Sequence, residues 1–223
     1  DWSSDVCSSD LNLPIKLYNA GSSECFGDSS IPANENTIFH PRSPYAIAKA
    51  TAFWQIDNYR EAYNLFACTG ILFNHESPLR PEHFVTKKII SAACKIHRNR
   101  LNKLSLGNIN IERDWGWAPD YVEAMWLMMQ QDQPKDYIIA TGKSHTLKEF
   151  IDFTFKALDL NWEEHVVIDE VLRRPTDLQI GRADPGKANR ELGWKAKLGL
   201  NAIIENMIEH ELSYSNLNAS GPY

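Results

Sequence analysis

Cysteine is scarce in this chain, and its spacing excludes several kinds of site. Only four cysteines occur among 223 residues, and no two of them stand in a C-x-x-C arrangement. That spacing favours neither a structural zinc site nor a disulfide-stapled scaffold. We therefore expect a cytoplasmic protein whose thiols are reduced and unpaired.

Long apolar runs and an excess of positive charge are also missing. No hydrophobic stretch approaches the roughly 20 residues that a membrane-spanning helix needs, so we expect no membrane partner. The formal net charge is -6, and an acidic chain has no electrostatic attraction for nucleic acid. Hydrophobic residues make up 43% of the chain, which is enough for one or two folded domains with a sizeable core.

The first eleven residues, DWSSDVCSSDL, differ from the rest of the sequence. They have no apolar period and no helix cap, and they are too polar for a signal peptide. We interpret residues 1–11 as a non-native segment, because they resemble the translation of a sequencing adapter. On this interpretation the native region is 12–223, and its own amino terminus is missing.

Apolar segments and amphipathic segments alternate along the remaining chain. A near-continuous apolar run predicts a buried parallel strand at 65–74, and shorter runs predict another buried strand at 136–142 and strands at 103–107 and 165–169. A period close to 3.6 residues predicts helices at 82–98, 119–131, 146–160 and 200–214, and a shorter one at 184–194 that ends before Gly193. This alternation indicates an α/β fold built on a parallel sheet.

One element that commonly accompanies such a sheet is not found. Parallel sheets that bind dinucleotides open with a glycine-rich strand–helix turn that holds the pyrophosphate. No G-x-G-x-x-G or near variant occurs in the 223 residues. Either the chain binds no dinucleotide, or the segment that carried this turn has been lost.

A group of polar residues near the start of the native region suggests proton-transfer chemistry. Tyr45 and Lys49 stand four apart in a predicted helix, so their side chains share one face. A neighbouring ammonium favours the phenolate form of a tyrosine, which can then accept a proton from a hydroxyl group. Ser22 and Glu24 lie just beyond an apolar strand, in a turn that could direct them into the same pocket.

Each of these residues also has a simpler interpretation. Y-x-x-x-K occurs by chance on many amphipathic helices, and short motifs match falsely often. Glu24 alone fits a solvated loop carboxylate. The catalytic interpretation is favoured by the order of the elements, in which a strand runs into a small-residue turn and a proline-rich loop leads to the helix. Pro44 stands where a first helical turn tolerates proline.

Several longer segments resemble the GDP-mannose 4,6-dehydratases, which are extended short-chain dehydrogenase/reductases. They run in order along the chain: AGSSECFG, PRSPYAIAKATAFWQIDNYREAY, ACTGILFNHESPLR, FVTKKI, LGNINIERDWGWAPDYVEAMWLMMQ and RPTDLQIGRADPGKANRELGW. The resemblance implies a partial Rossmann-type, doubly wound parallel sheet whose glycine-rich amino-terminal part is missing. It also implies a smaller sugar-nucleotide-binding α/β domain, interleaved with the Rossmann remainder across 12–223.

The resemblance implies a reaction and four catalytic residues. Family members use bound NADP as a recycled oxidant and convert GDP-mannose to GDP-4-keto-6-deoxymannose and water, the first step towards GDP-fucose and related sugars. Tyr45, aided by Lys49, would take the 4-hydroxyl proton, Ser22 would bond the same oxygen, and Glu24 would remove the proton from C5. Because family enzymes form homodimers and homotetramers, we expect a homo-oligomer of the full-length form.

Binding residues follow from the same resemblance. Lys49, His75 and Arg80 match cofactor-contacting positions. Positions matching the substrate site are Asn74, Val85, Lys88, Asn108, Arg113, Arg174 and Asp177. Without the resemblance, His75 would be interpreted as a loop histidine that caps backbone groups, and Arg174 and Asp177 as an exposed salt-bridged loop of little energetic value.

Three functional hypotheses therefore stay open. The first is a dehydratase that is truncated in this sequence. The second is another sugar-nucleotide epimerase or reductase, which needs no base at C5 and so leaves Glu24 unexplained. The third is an inactive chain that only binds a sugar nucleotide. Without the glycine-rich turn we expect the 223-residue chain itself to bind NADP poorly and to lack activity.

Arg182, where an acidic residue is expected, is a departure from the family pattern.

Overall fold

A computed structural model describes residues 15–172 and 177–219. Within them ten strands occur: β1 Lys16–Ser22, β2 Ser29–Ala33, β3 Phe66–Leu72, β4 Asn74–Glu76, β5 Leu104–Leu106, β6 Glu112–Trp117, β7 Tyr137–Ile139, β8 Ser144–Thr146, β9 Val166–Ile168 and β10 Gly181–Ala183. The same residues form six α-helices: α1 Pro44–Tyr63, α2 Val85–His97, α3 Ala118–Gln130, α4 Leu147–Lys156, α5 Gly186–Leu192 and α6 Leu200–Ala219. Short 3₁₀ helices lie at Ser23–Phe26, Trp162–Glu164 and Glu170–Leu172.

Strands β1, β3 and β7 form a parallel sheet in that order. Ser22 at the end of β1 lies beside Leu72, which in turn lies beside Ile139 of β7. The carboxyl ends of all three strands therefore meet at one edge. Open α/β sheets bind their ligands at this kind of edge.

Both faces of this sheet are covered, which explains why the sequence of β3 is continuously apolar. Cys68 packs with Tyr121 of α3 on one face. Ile71 points to the opposite face, where Phe53 of α1 packs against its cluster. The predicted α/β fold with a parallel sheet is confirmed.

Helix α1 begins as its sequence predicts. The Ser43 Oγ accepts a hydrogen bond from the amide of Ala46 at 3.1 Å, which caps the helix. Pro44 is the first helical residue, where its missing N–H costs no hydrogen bond. The helix ends at Tyr63 because Asn64 adopts a left-handed conformation with φ of 52°.

A second group of elements packs around a separate core. Strand β6 pairs with β4 in parallel and with β8 antiparallel, and β5 pairs in parallel with β9. Helices α2, α4 and α6 contribute the fully buried side chains of Ile89, Phe150 and Ile203 to one cluster. Trp115 of β6 contacts Phe150 with 5.4 Å between ring centroids, so the helices cover one face of this sheet.

Strands β2 and β10 pair in parallel beside this second group. Arg182 of β10 donates from Nε and one terminal nitrogen to the carboxylate of Glu112 in β6, at 2.7 and 2.9 Å. Two parallel N–H···O bonds of this kind match the planar guanidinium to the carboxylate. The cationic residue at 182, unexpected from the family pattern, is therefore the partner of Glu112.

Several sequence-based boundaries are wrong: α4 ends at Lys156 rather than at 160, and α6 continues to Ala219 rather than ending at 214. Helix α2 begins at Val85 rather than at 82, because the amide of Phe84 bonds the carbonyl of Pro81 in a turn. Strands β2, β4, β6, β8 and β10 have no counterpart among the predicted elements, since they are short and several carry charged residues.

Among the described helices, none is long and apolar enough to cross a membrane. The residues placed by the structure contain no cluster of three or more potential metal ligands.

Candidate active site

The carboxyl end of β1 holds the first two candidate residues. Ser22 ends the strand and caps the 3₁₀ helix that follows, since its Oγ accepts the amide of Glu24 at 3.3 Å. That bond uses an oxygen lone pair and leaves the hydroxyl proton of Ser22 free to donate. Glu24 lies in the first turn of the 3₁₀ helix with its carboxylate exposed.

Helix α1 brings the other two residues to the same edge. The Lys49 Nζ donates to the carbonyl of Ala20 in β1 at 2.9 Å and lies 5.8 Å from the centre of the Tyr45 ring. The predicted shared face of Tyr45 and Lys49 is therefore present. The Tyr45 side chain is 53% exposed, so its phenol is open to a ligand.

A residue that the sequence-based interpretation missed joins the two elements. The Ser43 Oγ, which caps α1, lies 3.4 Å from Glu24 Oε2 and donates to it. Ser43 thus connects the turn that carries Glu24 to the helix that carries Tyr45. The serine–proline pair before the helix was the available signal, because serine is a preferred cap ahead of a proline in the first turn.

His75 and Arg80 lie beyond the end of β3. The His75 Nδ1 is 2.9 Å from the carbonyl of Phe73, and its ring lies 4.8 Å from that of Tyr121. Burial lowers the pKa of His75, which favours the neutral imidazole. The Arg80 guanidinium lies over the Phe84 ring at 3.7 Å, so the cation is held on an aromatic face.

Glu76, between these residues in the sequence, has a buried carboxyl group whose pKa is shifted. Its side chain is 1% exposed, and its Oε2 lies 3.4 Å from Arg80 Nε without a hydrogen bond between them. Burial raises the pKa of Glu76 to about 7, although Arg80 and Thr86 act in the opposite direction. The folded state therefore holds this proton more tightly than the unfolded state does.

This titration predicts a pH-dependent stability. The free energy of unfolding should fall as pH rises from the ordinary value of 4.5 to about 7, because the folded protein binds the proton and must lose it. Glu76→Gln keeps the neutral form, so its advantage over the wild type should grow by about 2–4 kcal/mol across that range. Urea titrations at several pH values measure the free energy of unfolding of the wild type and of Glu76→Gln. Glu61→Gln, at an exposed position, is the control; equal slopes for the wild type and Glu76→Gln would contradict the prediction.

The candidate substrate residues lie in two elements that follow β3: Asn74 is in β4, and Val85 and Lys88 are in the first turn of α2. The carbonyl of Asn74 accepts the Tyr121 hydroxyl at 3.4 Å, and Val85 is the first residue of α2. The Lys88 Nζ donates to the carbonyl of Ser105 in β5 at 2.8 Å. Lys88 therefore joins α2 to β5 in this structure, and contact with a ligand would compete with that bond.

Asn108, Arg113 and Asp177 lie together on the second group of elements. One terminal nitrogen of Arg113 donates to the carbonyl of Leu178 at 2.6 Å and lies 3.6 Å from Asp177 Oδ1. Asn108 donates to the side chain of Gln179 at 3.2 Å. Residues 108–113 and 177–179 thus form one surface, while Arg174 lies outside the described residues.

The charge of Arg113 interacts with that of Glu24, one of the first four candidates. Burial lowers the pKa of Arg113, and the negative charges of Asp177, Glu24 and Asp28 act in the opposite direction. Arg113 and Glu24 therefore lie within range of each other's field. A guanidinium this well covered is suited to an anionic group such as a phosphate.

The segment Arg113–Gly116 also fixes the loop that follows β7. The buried carboxylate of Asp114 accepts bonds from the amides of Thr141 and Gly142 and from the Thr141 hydroxyl, at 2.7–3.0 Å. Burial nonetheless raises the pKa of Asp114 to about 6. An ideal Cβ at Gly116 would lie 2.3 Å from the Tyr121 ring, so this glycine permits the packing that holds His75 and Tyr121.

Comparisons with known proteins agree with these motifs. The sequence profile described as "GDP-mannose 4,6 dehydratase" matches residues 6–207. GDP-mannose 4,6 dehydratase 1 of Arabidopsis thaliana is 54% identical over 203 residues, which cover 91% of this chain and 56% of that protein. The GDP-mannose 4,6 dehydratase of Homo sapiens is 43% identical over 225 residues, covering 92% and 60% respectively.

Solved structures show the same fold at much lower identity. RMD from Pseudomonas aeruginosa, solved with NADPH, superposes with a TM-score of 0.84 at 19% identity and covers 92% of this chain and 69% of that one. The chain spans less than two-thirds of the length of both curated relatives. The extent of the profile match and the identity to the curated proteins show that the chain belongs to the GDP-mannose 4,6 dehydratase family.

Proposed function

We propose that this chain is the greater part of an NADP-dependent lyase that converts GDP-mannose to GDP-4-keto-6-deoxymannose and water. The observation that carries the proposal is the junction of Glu24 with the helix bearing Tyr45 and Lys49, at the carboxyl edge of the parallel sheet. A proton acceptor for a hydroxyl and a second one for a carbon acid are both needed for this reaction. The names of the relatives support the same substrate.

The residues present fit one end of a nicotinamide dinucleotide. Arg80 Nε is buried without a hydrogen-bond partner, and an arginine beside a sheet edge is suited to a phosphate group. Lys49, His75 and Arg80 would hold the cofactor. The glycine-rich pyrophosphate turn has no counterpart in these 223 residues. When bound, the cofactor supplies reversible removal of hydrogen from C4 and its return at C6.

Tyr45 is the base in the first half of this mechanism. Its exposed phenol would take the proton of the mannose 4-hydroxyl, and Lys49 on the same helix face has its Nζ 5.8 Å from the centre of the Tyr45 ring. Ser22 would donate its unused hydroxyl proton to the same sugar oxygen. The ketone formed at C4 withdraws electrons from the neighbouring C5–H bond and makes that hydrogen acidic.

Glu24 is the base in the second half. Its carboxylate would take the proton from C5, the electron pair would form the C5–C6 double bond, and the C6 hydroxyl would leave with a proton as water. Once hydrogen returns at C6, a proton returns to C5. The atoms balance, since one sugar molecule gives one keto sugar and one water. A simple 4-epimerase or 4-reductase has no use for this carboxylate.

The second group of elements would bind the nucleotide part of the substrate. We assign the diphosphate to Arg113, with Asn108 and Asp177 on the same surface and Arg174 close to them in sequence. Asn74, Val85 and Lys88 would bind the sugar and the guanosine near the junction of β3 and α2. In this arrangement residues 12–223 form one region in which the Rossmann remainder and the substrate domain interleave.

We further propose that the active form is a homo-oligomer. Trp54 and Tyr59 on α1 are 58% and 39% exposed, and large aromatic side chains are enriched at protein interfaces. Because the chain covers only part of its relatives' length and has no glycine-rich turn, activity is assigned to a form that includes that turn. For the 223-residue chain by itself we expect poor NADP binding and no turnover.

The first test uses two proteins and one substrate. GDP-mannose is incubated with NADP and either the 223-residue chain or the same chain joined to the part of the Arabidopsis relative that this chain does not match. We expect the joined chain alone to form a 4-keto-6-deoxy product, detected by mass spectrometry as loss of one water. A product of unchanged mass from the joined chain would support the epimerase, and tight binding of GDP-mannose without any product would support the binding-only alternative.

A further inference from the structure

The hydroxyl of Ser43 lies at the junction between two parts of the site. Its oxygen accepts the amide of Ala46 at 3.1 Å, and it lies 3.4 Å from Glu24 Oε2. A serine hydroxyl has one proton to donate. Because the amide of Ala46 occupies an oxygen lone pair, that proton is available for the carboxylate.

The two contacts have different consequences. The bond from Ala46 caps α1 and requires only an acceptor at position 43. The bond to Glu24 joins the start of α1 to the 3₁₀ helix Ser23–Phe26, and so relates Glu24 to Tyr45, two residues after Ser43. Since Glu24 is exposed, its carboxylate has little packing of its own to orient it.

We propose that Ser43 is a positioning residue for the base Glu24: its hydroxyl directs the carboxylate towards the substrate held at Tyr45. The inference rests on the proposed dehydratase function. Ser43 acts through its bond to Glu24, so its effect should be confined to the step that Glu24 performs.

Substitution can separate the capping role from the positioning role. Glycine is accepted at helix caps with little loss of stability, so Ser43→Gly removes the hydroxyl while the helix keeps most of its stability. Ser43→Thr restores the hydroxyl at the same place. Thr51→Ala is a matched control, because it removes another hydroxyl from α1 that bonds only the carbonyl of Ile47 in the structure.

The readout should isolate the step performed by Glu24. Exchange of the C5 hydrogen of GDP-4-keto-6-deoxymannose with deuterium from the solvent needs a base and the existing ketone, but no oxidation. It is followed by NMR on the NADP-loaded holoenzyme, in the longest native form of the chain. Turnover of GDP-mannose and thermal unfolding are measured on the same samples.

We expect Ser43→Gly to slow C5 exchange by about tenfold or more, the effect of losing a hydrogen bond to a charged group. Its thermal unfolding should change little, since glycine is accepted at helix caps, so the loss of exchange is not a loss of the helix. Ser43→Thr should recover the exchange rate, and Thr51→Ala should leave it unchanged.

The outcomes distinguish this inference from the proposed function. If the wild type turns over GDP-mannose and Ser43→Gly exchanges C5 as fast as the wild type does, the positioning role is wrong and the function stands. If Ser43→Gly and Ser43→Thr lose exchange equally, the hydroxyl is not the cause and the inference also fails. If the wild type shows neither turnover nor exchange, the proposed function fails and the inference falls with it.

Discussion

Replacing Glu24 by glutamine should abolish water elimination while leaving GDP-mannose bound. Glutamine has nearly the same shape but cannot accept the C5 proton, and loss of a general base typically costs 10²–10⁴-fold in rate. Tyr45, Lys49 and Ser22 are untouched, so oxidation at C4 should still occur in the NADP-loaded enzyme. The expected result is therefore a slow build-up of reduced cofactor, seen by its absorbance, together with very little 4-keto-6-deoxy product.

The control for this variant is Glu61→Gln, which makes the same chemical change on the exposed side of α1. It should keep the turnover of the wild type. Near-normal turnover by Glu24→Gln would remove Glu24 from the mechanism. It would also remove the main reason for preferring a dehydratase to an epimerase or reductase.

The second large effect is on stability and concerns Asp136, just before β7. Arg60 of α1 donates to both of its carboxylate oxygens at 3.0 and 2.7 Å, and the amide of Thr69 in β3 donates to it at 2.6 Å. Arg60 also pairs with Asp57. The side chains of Arg60 and Asp136 are 18% and 13% exposed, and Asp136 raises the pKa of Arg60.

Asp136→Asn should lower the free energy of unfolding by about 3–5 kcal/mol, because it leaves a largely buried guanidinium with half of its pairing. Urea denaturation of the 223-residue chain measures the change. Asp152→Asn is the matched control, since its partner Lys156 is 71% exposed and such surface pairs contribute at most about 1 kcal/mol. Equal losses for the two variants would show that the Asp136 cluster does not tie α1 to the sheet.

The parts of the site that could be predicted are those determined by short-range geometry. The spacing of Tyr45 and Lys49 places both on one helix face wherever the helix forms, and the contact of Lys49 with β1 follows from packing α1 on the sheet. The apolar run around Ile71 likewise predicts a buried strand, because only a strand covered on both faces has that composition.

Long-range contacts could not be predicted in the same way. The bond from Arg113 to the carbonyl of Leu178 joins residues that are 65 positions apart. No local sequence pattern at either residue predicts this contact. The contact between Ser43 and Glu24 also depends on how the 3₁₀ helix meets α1. Arg182 was a departure from an expected pattern in the sequence, and only the structure supplies its partner, Glu112.

The measurement that tests the central proposal most directly follows one hydrogen atom. GDP-mannose deuterated at C4 is converted by the NADP-loaded protein in its longest native form, and the product is analysed by NMR. Internal transfer predicts deuterium at C6 of a 4-keto-6-deoxy sugar, with no net change in the cofactor. Deuterium retained at C4 of an epimer, or left in the cofactor without loss of water, would contradict the dehydratase assignment.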